Sequence, residues 1–156
     1  METKYQKYLK IFKNRKKFEK KGKIIWSRYY LDDYDFSKRV DFVLSLIHNH
    51  VQKEFISEIQ YWEDNHKMVN FFEQSKNSYS IIKEYKNGQK PGIIVIDDNQ
   101  MDMNFFKNLL LNHYNFELAY EPALSIKILL FVNYDDYLMA FDLYDDRGFI
   151  INYYFL

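Results

Sequence analysis

From Ile126 to Tyr153 the chain reads as three short apolar runs cut by acidic turns. The runs are Ile126 to Val132, Leu138 to Tyr144 and Phe149 to Tyr153, all rich in β-branched and aromatic residues. Asp135-Asp136 and Asp145-Asp146-Arg147-Gly148 separate them. Runs this short, joined by turns this tight, pair as antiparallel neighbours and predict a meander. A meander needs a cover for its apolar face, and the earlier part of the chain has helical period.

That earlier part begins with a basic segment. Tyr5, Leu9 and Phe12 fall on one face of a helix expected over 4–21, with lysines elsewhere and Gly22 as a stop. Lys23 to Leu31 reads as a strand, and Asp32, Asp33 and Asp35 as a turn. Ser37 is the expected N-cap of a second helix, whose stripe is Val40, Val43, Leu44, Ile47 and Val51. The same spacing carries that helix to about Glu58, and a further helical stretch is expected between Tyr61 and Gln74. Tyr79 to Tyr85 and Ile93 to Ile96 flank Asn87-Gly88 and Pro91-Gly92, a hairpin signal. Asp102 to Tyr114 is amphipathic through Phe105, Phe106, Leu109 and Leu110. The expected class is α+β, with N-terminal helices packed on a mostly antiparallel sheet that ends in a three-strand meander. We read it as one domain over 1–156: a basic helix at 1–22, mixed elements at 23–116 and the meander at 117–156.

Composition excludes several functions. The 156 residues contain no cysteine, which removes disulfide staples, thiol catalysis and cysteine-ligated metal sites. No apolar run approaches the ~20 residues of a membrane span, and Met1 to Lys23 lacks the apolar core of a secretory signal, so a soluble, cytoplasmic protein is expected. Lysine and arginine balance aspartate and glutamate at 22 each, but unevenly along the chain. The net charge is +9 from Met1 to Arg28, −2 from Tyr29 to Ile96 and −7 from Asp97 to Leu156.

Three constellations could carry chemistry. Lys13, Arg15, Lys16, Lys17, Lys20, Lys21 and Lys23 could contact phosphates, with Tyr5, Tyr8 and Phe12 stacking on bases. The plainer and favoured reading packs that aromatic stripe on the sheet. Asp97-Asp98, after the apolar run Ile93 to Ile96, could hold a magnesium ion, but Asp98 as a cap of the next helix is favoured. The histidines do not suggest a metal site, since His48 and His50 point to different sides of a helix, and His66 and His113 lie apart in sequence. No nucleophile elbow, P-loop or dinucleotide fingerprint is present. Neither a metal nor a cofactor is expected.

The third constellation is the acidic, tyrosine-rich C-terminal third. Tyr134, Asp135, Asp136, Tyr137, Asp142, Tyr144, Asp145, Asp146 and Arg147 are the candidate partner-binding residues. Carboxylates in turns would steer a basic partner, and tyrosines would anchor it. Arg147 is read as a local staple to Asp145 or Asp142, and Gly148 as a turn residue free to take positive φ.

From about Asn108 to Ile151, including the stretch PALSIKILLFVNYDDYLMAFDLYDDRGFII that starts at Pro122, the chain resembles the end of a bacterial family of unknown function. Its signature is the turn Tyr144-Asp145-Asp146-Arg147-Gly148 between apolar strands. The chain departs from that family at Ile150, where an acidic residue is usual, and lacks its further helical tail. The resemblance implies a fold segment and no enzymatic activity. With no catalytic motif, the expected function is that of a non-enzymatic immunity protein neutralising a cognate bacterial toxin, such as a nuclease of contact-dependent inhibition. The alternatives are a nucleic-acid binder using the basic helix and a magnesium-dependent enzyme or toxin using Asp97 and Asp98. Oligomeric state is left open.

Overall fold

The computed structural model describes residues 1–88 and 90–156, and among these the side chains of all but Phe36 and Ser37. Its centre is one seven-stranded sheet in the order β1-β7-β6-β5-β2-β4-β3. The strands are β1 (Ile24–Tyr30), β2 (Phe55–Tyr61), β3 (Tyr79–Lys83), β4 (Gly92–Asp98), β5 (Ile126–Asn133), β6 (Tyr137–Leu143) and β7 (Gly148–Phe155). Every neighbouring pair is antiparallel. The expected α+β class and the C-terminal meander β5-β6-β7 are therefore what the chain forms.

Helices cover both faces. On one lie α3 (Phe36–His48), α4 (Asn65–Phe72) and α5 (Met103–Glu117). Val43, Ile47, Met68, Phe72, Phe106 and Leu110 from these helices meet Ile59, Ile96, Leu130 and Phe141 of the sheet. On the other lie α1 (Lys4–Lys13) and α2 (Arg15–Lys20). Tyr8 of α1 is buried against Ile56, Leu129, Phe131 and Ala140, with Tyr5, Leu9, Phe12 and Phe18 packed beside it. Successive strand residues point to opposite faces, so a sheet covered twice carries apolar side chains in both registers. That is why β5 and β6 read as near-continuous apolar runs.

Two expectations need correction here. The basic segment is two helices, because the chain breaks at Asn14, whose φ of −98° and ψ of 31° leave helical geometry. The helix expected to reach Glu58 ends at His48, and Phe55–Tyr61 is instead a central strand between β4 and β5. Ile47, Val51, Phe55 and Ile59 are four apart, which imitates a helical stripe. A strand buried on both faces shows no clean alternation to oppose that signal. The N-cap of α3 is at Asp35, and the Ser37 side chain lies outside the described residues.

His113 of α5 is buried, with its Nε2 lacking a hydrogen-bond partner among the described residues. Burial pushes its pKa down to about 4, against a weaker upward pull from a hydrogen bond to the Ile126 backbone. The imidazole is neutral in the fold at pH 7. The unfolded chain binds a proton below its ordinary pKa near 6.5, so the stability this residue allows is present above that pH and lost as pH falls towards 4. Denaturant titrations should show about 3 kcal/mol lost to this group between pH 6.5 and 4. The slope in that window should shrink in His113→Leu; an unchanged slope would mean another group drives it.

Candidate partner-binding surface

The nine residues expected to form one surface occupy three places. Tyr134, Asp135, Asp136 and Tyr137 form the β5–β6 turn, and Tyr144 to Arg147 form the β6–β7 turn. Strand β6 has 7 residues and joins the two turns end to end. At about 3.3 Å per residue they are roughly 20 Å apart. Asp142 sits on β6 facing the α1 side, opposite in face to Tyr137. Burial raises its carboxyl pKa, against the pull of Lys127 and Arg15.

The β6–β7 turn is structural. Asp146 is only 8% exposed and forms an ion pair with Arg39 of α3 at 3.0 Å. The same guanidinium donates to the Asp146 carbonyl at 3.1 Å. The arginine that staples this turn is therefore Arg39 and not Arg147. Arg147 points its side chain to solvent, while its backbone N–H donates to Asp145 Oδ1 at 2.8 Å. Gly148 is also explained differently from expectation. It does not take positive φ among the described residues; a Cβ there would overlap the Tyr29 carbonyl oxygen, because β1 passes directly against it. The close strand approach requires glycine.

The β5–β6 turn gathers aromatic rings and exposed carboxylates. Tyr134 and Tyr137 stack at 4.9 Å with their planes 8° apart. Tyr137 in turn contacts Tyr153 at 6.0 Å and Phe155 at 5.9 Å, and Ile25 of β1 pairs with Tyr153. A hydrogen bond joins Tyr134 Oη to His50 Nδ1, and Lys53 Nζ lies 5.2 Å from the Tyr134 ring. Burial lowers the His50 pKa and raises that of Tyr134, so both are neutral partners at pH 7. Asp135 holds φ at 58°, a left-handed conformation that aspartate tolerates, and its N–H donates to Asn133 Oδ1 at 3.1 Å. Asp135 and Asp136 are exposed, and among the described residues neither carboxylate pairs with a cation.

Sequence reasoning missed Tyr153, Phe155, Ile25, His50 and Lys53 at this patch. Tyr153 and Phe155 alternate on one face of the last strand, but their place beside Tyr137 follows from the pairing Tyr137↔Phe155. His50 and Lys53 come from the loop after α3 and carry no local signal.

The other constellations resolve as follows. Asp97 and Asp98 are consecutive on β4, so their side chains leave opposite faces and do not converge on one ion. Asp98 accepts from Asn77 Nδ2 at 3.0 Å and from the Asn99 N–H at 2.8 Å, and these bonds hold its pKa below the ordinary carboxylate value. It does not cap α5; Asp102 does, accepting from the Phe105 N–H at 3.2 Å. Tyr8 packs tilted and Phe12 edge-on against Phe131, at 5.9 and 6.1 Å, which occupies the rings a base would need. The lysines of α1 and α2 remain exposed. Among the described residues no group of three or more acidic or histidine side chains could hold a metal. No helix among them is long and apolar enough to cross a membrane.

Comparison of the chain with models of protein families, with curated proteins and with solved structures finds no match.

Breaking the Arg39–Asp146 pair leaves one charge buried, and Arg39→Ala should cost about 3 kcal/mol in urea unfolding. Arg39→Met with Asp146→Leu should cost much less than the two single changes added together. For Gly148→Ala, overpacking against backbone should cost about 1–3 kcal/mol. Wild-type stability in that variant would show that β1 can move away from the turn.

Proposed function

We propose that this chain is a small immunity protein that binds and neutralises a cognate bacterial toxin, docking through the β5–β6 end of its sheet. The observation that carries the reading is the stacked Tyr134–Tyr137 pair, rimmed by Asp135 and Asp136, exposed carboxylates that form no ion pair among the described residues. Stacked, half-buried tyrosines offer rigid contact area at low entropy cost, the property that makes Tyr a frequent interface anchor. Unpaired carboxylates on an exposed turn attract a basic surface and speed its arrival. A nuclease is the toxin class that fits best, because its active site is built to receive phosphates and an acidic tip can stand in for them. The buried turn at Asp146 supports the fold and takes no part in this contact. The protein would act by occupying the toxin's active site or an adjacent surface, without chemistry of its own.

The test starts with purification of the tagged protein from its native host and identification of a stoichiometric partner. That partner should kill cells when expressed alone, and co-expression of this chain should restore growth. Asp135→Asn with Asp136→Lys reverses the sign of the tip's charge while keeping a residue that tolerates the left-handed backbone at 135. It should slow association at low salt about tenfold or more and flatten the salt dependence. Thermal stability should barely change, as expected of surface substitutions. Unchanged association kinetics would remove this surface from the interface, and a harmless partner would remove the immunity reading.

A further inference from the structure

Strand β1 is an open edge of the sheet, and its outer residues are apolar. Ile25 is 58%, Trp26 51% and Tyr30 65% exposed. The backbone settles which groups are unpaired. Phe155 N–H donates to the Lys23 carbonyl and Leu31 N–H to the Arg147 carbonyl. Odd-numbered residues of β1 therefore turn their amides and carbonyls towards β7, and Ile24, Trp26, Arg28 and Tyr30 turn theirs outward. The other edge, β3, is blunted by a register shift between Ile81 and Lys83. β1 has no such device; its pairing with β7 runs unbroken from Ile24 to Tyr30. Its only charge is Arg28.

We propose that β1 pairs with β1 of a second copy of this chain, antiparallel and centred on Ser27, so that two sheets become one. The sequence of the strand is complementary to itself in that register. Trp26 falls opposite Arg28 of the second copy, and Arg28 opposite its Trp26, a cation–π pair made twice by symmetry. Ile24 meets Tyr30, and Ile25 meets Tyr29, on their respective faces. All the outward amides and carbonyls find partners, because each even-numbered residue meets another even-numbered residue. Shifting the register one way sets Arg28 against its own counterpart, and the other way shortens the contact with Tyr30.

The lysines of α2 do not oppose this arrangement. Arg15 lies 5.5 Å over Trp26, and Phe18 packs on Tyr154, the partner of Ile24, so α2 sits over the Ile24 end of the strand. Antiparallel pairing carries the lysines of the second α2 towards the other end of the strand, while Arg15 of each copy, over its own Trp26, comes near Arg28 of the other. This two-fold contact is isologous and closes, giving a dimer and no filament.

One strand pair with its flanking side chains is a small interface, so the dimer should form with a dissociation constant of about 10–100 μM. Sedimentation of the full chain from about 1 μM to about 1 mM should raise the mass from 19.3 kDa towards twice that value. Amide exchange should show Ile25, Ser27 and Tyr29 protected at every concentration, with Trp26 and Arg28 protected only when concentrated. Arg28→Pro removes an outward N–H at an edge position that tolerates proline, so it should keep the fold and abolish the mass increase. Trp26→Lys sets a lysine against Arg28 of the second copy and should weaken association at least tenfold. A monomer at 1 mM under all conditions would overturn the proposal, as would a dimer that neither variant weakens. Protection of Trp26 and Arg28 that needs a different protein would assign the edge to that partner instead.

Discussion

Strand β2 is buried on both faces, and Glu58, on its second face, is only 4% exposed. A buried carboxylate is costly unless something donates to it. Tyr5 of α1 donates its hydroxyl to Glu58, and Gln60 Nε2 adds a second bond at 3.1 Å. The N-terminal helix is thus held over the sheet by a polar contact as well as by Tyr8, Leu9 and Phe12. Without that cover, Ile56, Leu129, Phe131, Leu138 and Ala140 would face water. Two-sided coverage makes the central strands apolar in both registers, and it spends the aromatic face of the basic helix on packing.

That expenditure shapes where function can lie. The rings of α1 are committed to the sheet, leaving its lysines as an exposed coat. The β6–β7 turn is committed to α3 through Arg39 and to β1 through Gly148. The opposite end of the meander, where Tyr134, Tyr137, Tyr153 and Phe155 gather beside carboxylates that have no cation partner among the described residues, and the outer edge of β1 are left open. The two adjoin where Ile25 of β1 neighbours Tyr153. A partner reaching the tyrosine patch would pass close to the strand edge.

Much of the fold was legible locally. The meander, the β3–β4 hairpin, β1 and α5 all follow from apolar runs bounded by turn residues. Residues 55–61 were illegible because the spacing of Ile47, Val51, Phe55 and Ile59 satisfies a helix, and only pairing with β4 and β5 opposes it. The candidate surface was half legible. Residue type and position place Tyr134 to Tyr137 together in one exposed turn, whereas grouping them with Asp142 and Tyr144 to Arg147 ignores that successive turns of a meander lie at opposite ends of a strand. The burial of Asp146 had no sequence signal, because its partner Arg39 stands 107 residues away.

The sequence by itself determined the class of fold and the separation of a basic beginning from an acidic end, since both follow from local period and from covalent order. Tertiary structure decided which of those charges are available. Asp135 and Asp146 are alike in sequence, each an aspartate in a short acidic turn. One is held out in a left-handed turn and forms no ion pair among the described residues, and the other is closed under a helix by an arginine. Exposure and pairing are properties of what the chain brings together across distance, and no local pattern encodes them.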